Sequence, residues 1–141
     1  MSVPPELIAI IRGWILKAEE DYDVALHEFN RGNETPYGVV CFHVQQAVEK
    51  YMKGLLVYRS IEFPKTHDLL AIHALMPTDL NIKAGESDLS RVSRFAVEPR
   101  YPEIFEQFGI VDARWAVDFM VKMRDEIRAK LPPEALVPKK S

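Results

Sequence analysis

The chain predicts an all-α fold, an antiparallel up-and-down bundle of four to five helices. Three observations carry that expectation. Apolar residues recur every three or four positions through several long stretches. No run alternates apolar and polar residues as a half-buried strand would. Prolines, glycines and capping residues fall between the stretches and leave only short connections.

The first helix is expected from about Pro5 to Phe29. Leu7, Ile11, Trp14, Ala18, Tyr22, Ala25 and Phe29 form its apolar stripe, and Pro4 and Pro5 suit a first turn whose N–H groups have no intrahelical partner. Glu19, Glu20, Asp23 and Glu28 lie opposite and read as a solvated face. Residues 30–36, NRGNETP, form a loop in which Gly32 stops the helix. A second helix follows from about Tyr37 to Arg59, then a connection from Ser60 to Lys65 that contains Pro64. Thr66 is the expected N-cap of a third helix running to Met76, with Asp68 near its positive end. Ser87 can cap a fourth to about Val97 that buries Leu89, Val92 and Phe95. A last helix from about Val111 to Leu131 buries Trp115, Phe119, Met123, Ile127 and Leu131, and Pro132 and Pro133 close it. Residues 1–133 form one domain on this reading, and 134–141 a short frayed tail.

A chain of 141 residues, 48% hydrophobic, is long enough to bury one core. Net charge is −3 and the sequence pI about 5.8, so a polyanion would have to meet a local basic patch rather than an overall field. One cysteine, Cys41, rules out an intrachain disulfide framework and suits a reducing compartment. Neither a leader-like N-terminus nor a membrane-length apolar run is present, so a soluble cytoplasmic protein is expected.

The second helix holds the candidate site. At about 100° per residue, His43, Gln46, Lys50 and Lys53 share roughly an 80° arc. Val40, Val44, Ala47, Val48, Tyr51 and Leu55 occupy a separate, core-facing arc. The polar arc aligns an imidazole, a carboxamide and two ammonium groups, with Glu49 one step aside. The lysines could meet phosphate oxygens while His43 and Gln46 hydrogen-bond a base or sugar. Equally, the lysines could be solvated, with Glu49 paired to Lys53 at i, i+4.

Other motifs are missing. There is no glycine-rich phosphate loop, no GxSxG elbow and no HExxH. The histidines at 27, 43, 67 and 73 lack metal-ligand spacing, so neither metal nor cofactor is expected. Cys41 and His43 point to different helix faces, which argues against a thiol nucleophile.

CFHVQQAVEKYMKGLL (41–56), followed by THDL (66–69) and RYP (100–102), resembles the HEPN domain family, as does Trp14, Lys17, Ala18 and Asp21 in WILKAEED. The resemblance spans Trp14 to the last helix. It implies an antiparallel bundle, commonly a homodimer, often encoded beside a minimal nucleotidyltransferase in a toxin–antitoxin-like arrangement. It also implies nucleotide binding, RNA binding or RNA cleavage. Cleaving members carry an Arg, four to six residues and then a His. Here the nearest case, Arg59 to His67, has seven intervening residues and crosses Pro64. Tyrosine modification, known at that family motif, has no matching position either, and Arg100-Tyr101 is not that motif.

The expectation is therefore a HEPN-type nucleotide- or RNA-binding partner of a minimal nucleotidyltransferase without intrinsic catalysis. Its candidate ligand contacts are His43, Gln46, Lys50, Lys53, His67 and Arg100. One alternative is a ribonuclease with a non-standard set such as His43, His67 and Arg100. Another is a protein-interaction module using Phe42, Leu56 and Val57 as a second apolar surface.

Overall fold

The computed structural model describes residues 3–96 and 108–136, and among these the secondary structure is entirely helical. Five helices occur: α1 (Pro5–Phe29), α2 (Tyr37–Tyr58), α3 (Leu69–Ala74), α4 (Glu86–Ser93) and α5 (Ile110–Ala129). Single 3₁₀ turns at Gly32–Glu34, Thr78–Leu80 and Pro133–Ala135 punctuate the connections. No described helix is long and apolar enough to cross a membrane.

The long helices α1, α2 and α5 make the core, with α2 in the middle, touching α1, α3, α4 and α5. Its expected apolar arc, Val40, Val44, Ala47, Val48, Tyr51 and Leu55, is fully buried. Burial continues around the helix to Gln45, Glu49, Met52, Lys53 and Leu56. Leu56 thus belongs to the core and not to a second apolar surface, whereas Val57 and Phe42 are half-buried. Gly54 lets α1 come close. A Cβ there would sit 3.0 Å from Ile15 Cδ1 and 3.4 Å from Trp14 Cβ.

Helix α1 is rotated from its expected stripe. Ile8, Ile11, Ile15, Ala18, Asp21 and Ala25 are buried, while Leu7, Trp14 and Tyr22 flank the seam. The rotation carries Glu19 inward. Its carboxylate accepts from Tyr51 Oη at 2.7 Å, Arg124 Nε at 2.8 Å and Arg128 Nη1 at 2.6 Å, so this part of the face is not simply solvated. Burial works to raise the Glu19 pKa, but the hydrogen bonds and the two guanidinium charges outweigh it and hold the group low. A similar turn affects α5, where Ala113, Ala116, Val117, Met120, Met123 and Ile127 fill the core. Trp115 and Phe119 stack at its edge, centroids 5.3 Å apart.

Three boundaries differ from expectation for local reasons. Asp68, not Thr66, caps α3, its side chain accepting from Leu70 N–H, and the Thr66 hydroxyl accepts from Asp68 N–H one step earlier. The helix ends at Ala74, short of Met76, because a tight turn precedes Pro77. Helix α4 starts after Gly85 rather than at a Ser87 cap, and ends at Ser93, yet Leu89, Val92 and Phe95 are buried as expected. At the C-terminal side, the Glu134 carbonyl accepts from Arg12 Nη2 at 2.7 Å and Ala135 is buried. The 3₁₀ turn at Pro133–Ala135 therefore packs against α1.

Helix α2 closes with a Schellman arrangement. Ile61 N–H reaches the Leu56 carbonyl and Ser60 N–H the Val57 carbonyl, with Ser60 at φ +58° where glycine is usual.

Candidate functional site

Helix α1 contributes one carboxylate, Asp21, between Ala18 and Ala25 in the buried seam. Helix α2 faces it with His43 and Lys50, two turns apart and so on one side. His43 Nδ1 lies 2.8 Å from Asp21 Oδ1, and Lys50 Nζ donates to Asp21 Oδ2 at 2.6 Å. An ionised carboxylate only accepts, so Nδ1 carries the proton and Nε2 is left for other chemistry. Burial tends to raise the Asp21 pKa, but the hydrogen bonds and charges of His43 and Lys50 prevail, so it stays ionised below the usual carboxylate range. The Phe42 ring meets the imidazole edge-to-face at 5.4 Å, which helps fix its plane.

Beside this cluster lies a second, built on Glu49, whose side chain is 4% exposed. Glu49 Oε2 accepts from Lys53 Nζ at 3.0 Å, and Oε1 accepts from Gln45 Nε2 at 3.1 Å and from His67 Nδ1 at 2.8 Å. Lys53 also donates to the Thr66 carbonyl and Gln45 to the His67 carbonyl, so α2 grips the 66–67 backbone at two points. Gln46 Nε2 donates to Gln45 Oε1 at 2.6 Å and so extends the Glu49 cluster.

His43 and Lys50 thus meet on Asp21, whereas Gln46 bonds Gln45 and His67 belongs to the Glu49 cluster. Lys53 is not available there as a free cation. Its ammonium is buried, engaged by Glu49 and Thr66, and lies 5.6 and 5.7 Å from the Trp14 and Phe63 ring centroids. Helical spacing allows for the Glu49–Lys53 pair, though as a solvated one. Arg100 and Tyr101 lie outside the described residues. Asp21, named in the sequence only as part of the pattern that carries the family resemblance, is a site residue absent from the expected ligand contacts. Its signal is present, since a carboxylate three residues after Ala18 and four before Ala25 interrupts an apolar seam. Cys41 is fully buried and burial pushes its thiol up to about 12, which agrees with its dismissal as a nucleophile. Among the described residues no group of three or more His, Cys, Asp or Glu side chains could hold a metal ion.

The fold is similar to two solved structures. The crystal structure of TT1696 from Thermus thermophilus aligns with TM-score 0.71 and 24% identity, covering 86% of this chain and 98% of that one. That of ST0689, an archaeal HEPN homologue, gives 0.64 and 24%, covering 85% and 96%. No curated protein matches the sequence. The HEPN domain matches residues 11–130, a span that contains Asp21, both clusters and most of the five-helix bundle. On that match the chain belongs to the HEPN domain family.

Proposed function

We propose that this chain is a nucleotide- or RNA-binding HEPN protein whose ligand-contacting residues are His43, Gln46 and Lys50, with His67 as a further contact. The supporting observation is that Asp21 holds His43 and Lys50 together while, among the described residues, leaving Nε2 and two ammonium protons uncommitted. Those donors suit phosphate oxygens, and the Gln46 carboxamide suits a base or sugar edge. Lys53 is omitted from the contact set because its hydrogen bonds serve the fold. In this reading the protein acts as a homodimer and as the partner of a minimal nucleotidyltransferase in a toxin–antitoxin-like pair. Family membership supports that part; light scattering and co-purification with such a partner test it.

Titration with ATP, GTP and short RNA tests the binding face. A charge-assisted contact contributes about 1.5–3 kcal/mol, so His43→Gln with Lys50→Ala should weaken binding by about tenfold or more. Unchanged affinity for every ligand would discard the face.

A ribonuclease with a non-standard site is the second reading. It is favoured by the presence of two imidazoles, His43 and His67, each with Nδ1 committed to its own carboxylate. Arg100 completes that proposed set. RNA turnover abolished by His67→Ala supports it, and absence of turnover removes it.

A further inference from the structure

The nucleophiles of this domain are unequal. Cys41 is buried, its thiol held up by desolvation. Tyr51 is buried with its hydroxyl donating to Glu19, and burial followed by that carboxylate pushes its pKa far up. Lys53 is enclosed with two of its three ammonium protons committed. Among the described residues, His27 and His73 have no hydrogen-bond or ion-pair partner, so nothing selects a tautomer for them. His67 is oriented by Glu49 and 72% exposed, but the cation on that carboxylate is the buried Lys53. His43 differs from all of these. Its side chain is 27% exposed, its Nδ1 proton is committed to Asp21, and Lys50, 24% exposed, shares that carboxylate.

We propose that His43 is a phosphoryl-acceptor site, taking a phosphoryl group on Nε2 from a donor of the acyl-phosphate class. The Nε2 lone pair attacks phosphorus while the bond from phosphorus to the acyl oxygen breaks. The carboxylate leaves with that electron pair. No proton has to leave Nε2, because the imidazole proton already sits on Nδ1 against Asp21 Oδ1. Asp21 stabilises the positive charge that grows on the ring during attack, as an orienting carboxylate does for a catalytic imidazole. Lys50, held by the other oxygen of the same carboxylate, keeps N–H groups for the incoming phosphoryl oxygens. The Phe42 edge limits ring rotation, so the nucleophilic nitrogen stays in one direction.

The inference uses the same cluster as the binding reading but not binding itself, because a small donor has no base or sugar. Its failure would leave nucleotide and RNA affinity untouched, and loss of that affinity would not affect it.

The test incubates the full chain with acetyl phosphate and follows intact mass, histidine-site mapping by mass spectrometry and ³¹P NMR. The expected product is one acid-labile, alkali-stable phosphoryl group at Nε2 of His43, formed faster than at His67, His27 or His73. His43→Gln should remove it. Asp21→Asn should slow it about tenfold or more, since the ring loses the group that sets its tautomer. Lys50→Gln should slow formation without moving the site. The wild-type site distribution needs no variant, so it decides the matter even if Asp21→Asn fails to fold. Absence of label, label at Nδ1, or label spread evenly over the four histidines would overturn the proposal. So would a folded Asp21→Asn that labels at the wild-type rate.

Discussion

Lys53→Met distinguishes a structural ammonium from a ligand contact. The substitution keeps an unbranched apolar stem between Trp14 and Phe63 but removes the charge that donates to Glu49 at 3.0 Å and to the Thr66 carbonyl at 2.9 Å. Glu49, 4% exposed, would keep Gln45 and His67 as donors but lose its buried counter-charge. Removing one partner of a buried pair costs about 3–5 kcal/mol. The lower end applies because His67 is largely solvated and leaves the carboxylate a route to water. A loss of about 3 kcal/mol lowers the melting temperature by roughly 10 °C at this size. Lys53→Met with Glu49→Gln removes the orphaned charge as well and should cost only about 1 kcal/mol relative to wild type. Urea and thermal unfolding followed by circular dichroism give the three differences needed, with Glu49→Gln as the other single variant. A single Lys53→Met within about 0.5 kcal/mol of wild type would refute the buried-pair argument. So would a double variant whose cost equals the sum of the two singles.

Acid should unfold the protein from a defined side. Glu19 and Asp21 are both held below their ordinary values of 4.5 and 3.8, so the stability they contribute is fully present above those values. It is lost as pH falls through the lower folded-state values. The melting temperature should therefore be flat near neutrality and drop below about pH 4.5, and Glu19→Gln should make that drop shallower. Ser60→Gly should stabilise the chain by about 1 kcal/mol, read as a rise in urea midpoint at unchanged slope, because the left-handed φ at Ser60 penalises a Cβ.

The apolar periodicity of α2 is readable because that helix touches the four other described helices, so its core residues repeat with unusual regularity. In α1 and α5 the same periodicity leaves the rotation open. Trp14, Trp115 and Phe119 look like core by residue type, yet in the structure smaller residues occupy the seam while these rings sit at its margins. The polar arc is visible as an arc, but not as two clusters. Helical spacing places His43, Gln46, Lys50 and Lys53 together and says nothing about which neighbour covers which end. The 60–68 connection folds back over Lys53 and leaves Lys50 open, and that difference depends on a long-range contact. Asp68 replaces Thr66 as cap because either side chain can serve at nearby positions, and only the backbone turn selects one.

The enclosure of α2 also sets the order in which the molecule opens. Fourteen of its 22 residues are buried, and every other described helix rests on it. Amide protons near its middle can meet solvent only when the surrounding helices separate, so their exchange with deuterium should report the full unfolding free energy. Protons in α3 and α4, short helices at the flank, should exchange through smaller openings. His43 and Lys50 should therefore ride on the most slowly exchanging part of the chain, while His67 lies in the connection that precedes α3.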